Sequence, residues 1–450
     1  GITSFTFNGL AGDDLMTVNL NANVLPSGGI FYNGGDQDTP LSAGSDGQDG
    51  DVLQVIGTLT QTATYFGDAD LSATLDRDGT VLIDLQGTIT FTQLEPVDMQ
   101  SLAVANVTFE GGNDIISIAD GFDADTGLDA SLVISGTSNK FSAEPFESVH
   151  LRNNTTVNID TTTVDGSDMI TISSGVLTHG NVNFNVLTGG ASDLVTVAGS
   201  LTVTGNIGIT SQSIAFTGGT LSATTSVTLG ANVITTSTAA TDVVAANLAL
   251  TAVTGVGTLA NPLDTDVDNL EATTATGGIF VSNAGALAIG NTSPGLSGVN
   301  VTGASGAVSL FATGSITIAT VNEVVTGPGD VTLNAQGPTS DINTSANGPL
   351  SINGTGLVSL TAGQDVNIGA VAGYGDTISA GSMLITAGRD FVLRQDSFLD
   401  VNSAGTNTIL AGQDIILFND GSNSRISTQG GVLSLTANRD IVANVQGFPA

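Results

Sequence analysis

From about residue 175 onward the chain is written in short alternating segments: VNFNV, LTVTG, VTLGA, LALTA, VSLFA, ITIAT, VTLNA, VSLTA, VNIGA, IILFN and LSLTA. Each alternates Val, Leu or Ile with Thr, Ser or Asn, the period of two that a strand with one buried face requires. No stretch of useful length carries the 3.6-residue period of a helix. The pattern predicts an all-β chain.

The alternation is punctuated by a recurring phrase. SLTAGQDVNIG, from Ser359, returns as LITAGRDFVL, TILAGQDIIL and SLTANRDIVA, and its aspartates, Asp365, Asp390, Asp414 and Asp440, recur at intervals of 25, 24 and 26. In this phrase the strand is expected to stop at Ala362, with Gly363, Gly388 and Gly412 supplying a positive-φ position and Asn438 standing in for glycine in the last copy. Each Asp is expected to fold its carboxylate back on nearby backbone N–H groups, as a structural turn cap rather than a ligand. A spacing near 25 with two or three strands per unit predicts one coil of a parallel β-solenoid, so the chain holds about 18–20 coils of roughly 22–25 residues in a rod on the order of 90 Å long. Leu360, Ile385, Ile409 and Leu435 then stack in one interior ladder, and Thr361, Thr386 and Thr436 stack outside.

Before about 175 the same grammar persists at irregular spacing. GDDLMTV, GDVLQVIG, GNDIISIADG and GSDMITISSG each set an Asp in a Gly- or Ser-containing turn directly before an alternating strand. Insertions must intervene. The chain divides on this reading into 1–150, an acidic, loop-rich β region that is an irregular solenoid or a separate β domain, and 151–450, a regular parallel β-solenoid.

The LTAGxDI phrasing between about 355 and 443 resembles the repeats of filamentous-haemagglutinin-like exoproteins and related giant bacterial surface adhesins. That resemblance implies a right-handed parallel β-helix on the cell exterior. The Asp-turn phrases of the first half also look like a loose version of calcium-binding glycine-rich nonapeptide repeats, without their tandem nine-residue spacing.

Composition narrows the partners. The formal charge is -35, and 22 of the 42 acidic residues precede position 151, a balance that repels nucleic acid and anionic membrane surfaces. The chain has no Cys, and no run of 18 apolar residues to span a bilayer, which fits an extracellular or bacterial cell-surface location. It begins without Met and reads as a mature or internal piece of something longer.

Three acidic clusters are candidate Ca2+ sites, because calcium wants six to eight oxygen ligands. The first holds Asp36, Asp38, Asp46, Asp49 and Asp51; the second Asp120, Asp123, Asp125 and Asp129; the third Asp264, Asp266 and Asp268. The third resembles the start of an EF-hand loop, yet Ala275 stands where the bidentate Glu belongs. The alternative is that all three are solvated loop tips.

Catalysis finds no support. His150 and His179 are the only imidazoles, in no nucleophile or paired-His context, and there is no Trp to form a sugar platform. Arg389 and Arg439 share one repeat position, which makes them either a basic end that meets an acidic neighbour or ordinary partners of Asp within the stack. The expected function is a structural protein: a rigid solenoid subunit of a bacterial surface fibre or stalk that associates with copies of itself end to end. The alternatives are an adhesin that binds a host or community cell-surface glycan or protein through its acidic N-terminal loops, and a β-helical polysaccharide-degrading enzyme.

Overall fold

A computed structural model of the chain describes residues 2–11, 13–21, 24–36, 51–67, 78–94, 96–138, 144–164, 166–175, 177–190, 192–292, 295–318, 323–344, 351–369, 375–394, 396–402, 404–419 and 424–445. It is all-β, with 60% of residues in strand, no helix among the described residues, and a long mixed sheet of many strands. The chain separates into two compact units, Gly1–Thr225 and Ser226–Ala450.

In the second unit every strand pairing among the described residues is parallel. The shortest step between partners sets Leu263 beside Val281, and the longest sets Ile279 beside Val308. Its later part shows three parallel ladders. The first pairs residues 351–354 with Thr377–Ala380, Phe398–Val401 and Arg425–Thr428; the second joins Leu360, Ile385, Ile409 and Leu435 in register; the third runs Val366–Ile368, Phe391–Leu393, Ile415–Asn419 and Ile441–Val445. Thr361, Thr386, Leu410 and Thr436 form the neighbouring row. Leu360, Ile385 and Ile409 are fully buried while the alternate positions are not, which is how a period-two sequence produces a core.

The turn between the second and third ladders works differently from the expectation. Gly363, Gly388 and Gly412 do not have positive φ, and neither does Asn438. Glycine is needed there because the turns stack backbone on backbone. A Cβ on Gly388 would lie 2.0 Å from the carbonyl oxygen of Gly363, and one on Gly412 would lie 2.0 Å from that of Gly388. At Asn438, where a Cβ is present, the N–H to the Ala411 carbonyl lengthens to 3.3 Å, against 3.0 Å from Gly412 to Ala387. The carboxylates also reach across repeats rather than into their own turn: Asp390 N–H donates to Asp365 Oδ1 at 3.1 Å, Asp414 N–H to Asp390 Oδ1 at 3.0 Å, and Asp440 N–H to Asp414 Oδ1 at 3.2 Å.

The first unit mixes parallel ladders with antiparallel excursions. Met169 lies beside Leu194 on one side of its strand, but on the other side beside Ile115, more than twice as far away along the chain. The chain between these partners forms an antiparallel hairpin of Ile115–Phe122 with Ala130–Ser138, which in turn pairs antiparallel with Val149–Arg152. A second excursion pairs Thr62–Gly67, Gly79–Ile83 and Gly87–Thr92. Buried amides knit successive strands: Asn154 N–H donates to Asn181 Oδ1 at 2.9 Å, and Leu102 N–H to Asn154 Oδ1 at 2.9 Å, which satisfies polar groups that burial would otherwise penalise. All antiparallel pairs among the described residues lie at Arg152 or earlier, so the irregular stretch ends near 150 while the compact unit continues to Thr225.

Candidate metal centre

Strand Val97–Gln100 lies between Val52–Ile56 and Val149–Arg152, parallel to both, with Gln54, Asp98 and His150 in one row. Val97 and Met99 point into the core and are fully buried, as the alternation demands. Asp98, on the opposite face, is fully buried as well.

The nearby acidic groups come from the turn of the hairpin, Asp123–Asp129. The sequence DADTGLD folds around its first carboxylate: Asp123 Oδ1 accepts the N–H groups of Leu128 (3.0 Å) and Asp129 (2.8 Å), and Oδ2 accepts the Thr126 hydroxyl at 2.8 Å. Asp123 N–H donates to the Asp129 carbonyl at 2.7 Å, and Gly127 takes the left-handed φ of 64° that the turn needs.

Asp98, Asp123 and Asp125 thereby present carboxylate oxygens within 4.8 Å of one another, the one such convergence among the described residues. Gln54 Nε2 donates to Asp125 Oδ2 at 2.5 Å and Gln54 Oε1 accepts the Thr17 hydroxyl at 3.1 Å. Arg152 makes its close contact with Asp129; its Nη2 is 3.4 Å from Asp123 Oδ2 and 3.7 Å from Asp125 Oδ1. Neither oxygen of Asp98 receives a hydrogen bond of ordinary geometry.

Burial pushes the Asp98 carboxyl up to about 7; Arg152 and the nearby Gln54 amide oppose the shift, while Asp125 and Asp123 add to it. Asp123 and Asp125 are pushed in opposite directions. Burial raises both, but at Asp123 the hydrogen bonds from Asp125, Thr126 and the Asp129 amide, with Arg152, outweigh it and keep the carboxylate ionised. Asp125 is pushed up, by burial and then by its hydrogen bond to Asp123. Burial holds His150 below the ordinary histidine range; its Nδ1 donates to the Phe122 carbonyl, which can only accept, and its Nε2 lies 3.2 Å from the Ser148 hydroxyl. That leaves the imidazole engaged elsewhere.

The structure regroups the residues singled out from sequence. Of the first cluster, Asp38, Asp46, Asp49 and the side chain of Asp36 lie outside the described residues; Asp51 is buried and accepts the Asp14 N–H at 2.8 Å. In the second, Asp120 stands apart as a turn cap for Ser174, Gly175 and Leu177, with bonds of 2.6, 2.8 and 2.9 Å. Asp129 is taken by Arg152. Asp264, Asp266 and Asp268 are no loop at all: they sit at alternate positions of strand Leu263–Thr274, with Asp266 and Asp268 exposed, so neighbouring side chains are about 6.6 Å apart along one face. They do not converge. Arg389 and Arg439 each reach one repeat back, to Asp365 and Asp414.

Sequence reasoning missed Asp98, Gln54 and Arg152. The available signal was an Asp inside an otherwise apolar strand, in PVDMQ. It also missed two buried acids of the second unit: Glu271, which accepts the Thr292 N–H at 3.0 Å, and Glu323, which burial and the nearby Glu271 push up to about 7.

Neither a family model, nor a curated protein, nor a solved structure matches this chain.

Proposed function

We propose that the chain is a structural protein of the bacterial exterior, a right-handed parallel β-solenoid that serves as a rigid subunit of a surface fibre or stalk and associates end to end. The observation that carries this reading is the register of the second unit. Leu360, Ile385, Ile409 and Leu435 follow one another on successive parallel strands, with the aspartate turns bonded repeat to repeat beside them. Such a ladder resists bending because any local opening breaks backbone hydrogen bonds and apolar stacking together. The handedness and the exterior location rest on the resemblance of the LTAGxDI repeats. End-to-end association is the arrangement in which head-to-tail contacts that do not close would extend such a ladder. The reading assigns no catalytic residue.

One observation favours an adhesin as the second reading. A groove of about 560 Å³ in the second unit is lined by Thr326, Asn353, Ser379 and Asn402, small hydroxyl and amide groups repeated along the ladder. It fits an extended polar ligand, glycan or peptide, rather than an aromatic one.

Negative-stain electron microscopy of the full chain in millimolar calcium tests the first reading. Filaments support it in full, and isolated rods about 90 Å long keep the stalk while removing self-association. Compact particles would overturn the solenoid.

A further inference from the structure

We propose that Asp98, Asp123 and Asp125 hold a divalent cation, Ca2+ by its chemistry, which fastens the hairpin turn Asp123–Asp129 onto strand Val97–Gln100. The site is independent of the structural role argued above.

Three features carry it. First, Asp98 is fully buried, its oxygens lie with those of Asp123 and Asp125, and neither receives a hydrogen bond of ordinary geometry. A buried carboxylate without donors is costly, and it is retained where something else satisfies it. Second, the geometry fits. Calcium–oxygen bonds are about 2.3–2.6 Å, so ligands on opposite sides of one ion are at most about 5 Å apart, and three oxygens within 4.8 Å fit one coordination sphere. Third, the local basic charge is too small to balance these acids when all of them are ionised. Asp98, Asp123, Asp125 and Asp129 face one guanidinium, and Arg152 is committed to Asp129, standing 3.4 and 3.7 Å from the other two aspartates of the turn. These separations exceed a close charge-assisted hydrogen bond.

The donor set selects the ion. The three carboxylates are hard oxygen ligands, and the neighbouring His150 ring is already bonded at both nitrogens. Oxygen-only donors suit calcium, whose six to eight positions are completed by water. The Leu128 and Asp129 amides that donate to Asp123 Oδ1 then belong to a turn pinned from both sides.

The test is calcium titration by calorimetry on the chelator-treated full chain at mildly alkaline pH, comparing Asp98→Asn, Asp125→Asn and Asp266→Asn, together with amide exchange over residues 122–138. The expected result is one site fewer in Asp98→Asn, about a tenfold or greater loss of affinity at that site in Asp125→Asn, and no change in Asp266→Asn. Other sites in acidic loops would persist in all three. Calcium is expected to slow exchange at Leu128 and Asp129 in the wild-type chain. Equal stoichiometry and affinity in folded Asp98→Asn and wild type would overturn the proposal. Where both site variants fail to fold, the exchange measurement decides, and indifference of residues 122–138 to millimolar calcium refutes it.

Discussion

The two units are written in the same turn grammar and use it with opposite polarity. In the second, the N–H of a turn aspartate donates to the carboxylate of the aspartate one repeat earlier at Asp264 to Asp242, Asp365 to Asp341 and Asp390 to Asp365, while Asp341 N–H donates to Ser315 Oγ in the place of such a carboxylate. In the first, the turn N–H donates to the aspartate that comes later: Asp14 to Asp51, Asp114 to Asp168, Asp168 to Asp193. A carboxylate only accepts and an amide only donates, so either direction satisfies one turn N–H per repeat at the same length. Direction is therefore free, whereas in-register stacking is not. The units also differ in what they insert. Even the longest parallel step of the second unit, from Ile279 to Val308, is about half of those that the first tolerates between Val97 and Val149 and between Ile30 and Ile89, where the excess forms antiparallel excursions. Loop closure grows only slowly more costly with length, so insertions of this size leave the ladder intact. One of them brings the only convergence of three carboxylates found among the described residues.

The strongest way to break this comparison is to disturb the stacking itself. Gly388→Ala in the second unit places a Cβ 2.0 Å from the Gly363 carbonyl oxygen, and backbone cannot step aside as a side chain would. The expected cost is about 3 kcal/mol. Gly218→Ala in the first unit meets nothing within 4 Å and suffers only the strain of a φ of 124°, about 1 kcal/mol. Urea denaturation of the two variants measures both. Equal costs would mean that the stacked turns yield to a Cβ and that close approach is not what the turn glycines provide.

That distinction marks the limit of what the sequence reveals. The ladder of Leu360, Ile385, Ile409 and Leu435 was legible because repeat spacing and alternation fix both the partner and the face. The need for glycine at 363, 388 and 412 was legible too, but not its reason, since a residue type does not show what passes over it. The acidic site was half legible. Asp123 and Asp125 stood out as a cluster, but Asp98 is remote in sequence from both Asp125 and Gln54, and it comes into register with Gln54 only through the length of the excursion between them. Asp264, Asp266 and Asp268 misled because alternate acids look like a ligand loop until a strand separates them.

A smaller effect separates the ways in which the units relieve buried acid. Burial pushes Asp242 up to about 7, against hydrogen bonds from the Asp264 amide and Thr236, with the Asp264 carboxylate adding to the rise. The ordinary value is 3.8, so between roughly pH 4 and pH 7 the folded state holds a proton that the unfolded state releases. Stability from this group is thus complete in acid and lost as pH rises towards 7, with a slope some fraction of the about 1.4 kcal/mol per pH unit of one fully linked proton. Glu323 adds a slope of the same sign. Denaturation midpoints from pH 4 to pH 8 should show a shallower fall in Asp242→Asn than in wild type, with or without calcium. An unchanged slope would show that Asp242 is ionised in the fold.

The smallest effect concerns the alternation Gln364, Arg389, Gln413, Arg439 at one repeat position, which puts an arginine on every second repeat. Arg389 pairs with Asp365 and lies 3.5 Å from Asp390, and Arg439 pairs with Asp414, so one cation serves a stack of carboxylates from the outside. Both arginines remain about half exposed at their side chains, 45% and 58%, and water screens much of the attraction. Arg389→Gln should lower the melting temperature by about 1–2 °C at low salt, and the difference should vanish at high salt, where the screening length is shorter than the spacing between stacked strands. Gln413→Arg, which offers Asp390 a partner of its own, should raise it by a similar amount. If Arg389→Gln leaves melting untouched but abolishes association between molecules, the arginine belongs to an interface between copies, and the stack compensates its charge by other means.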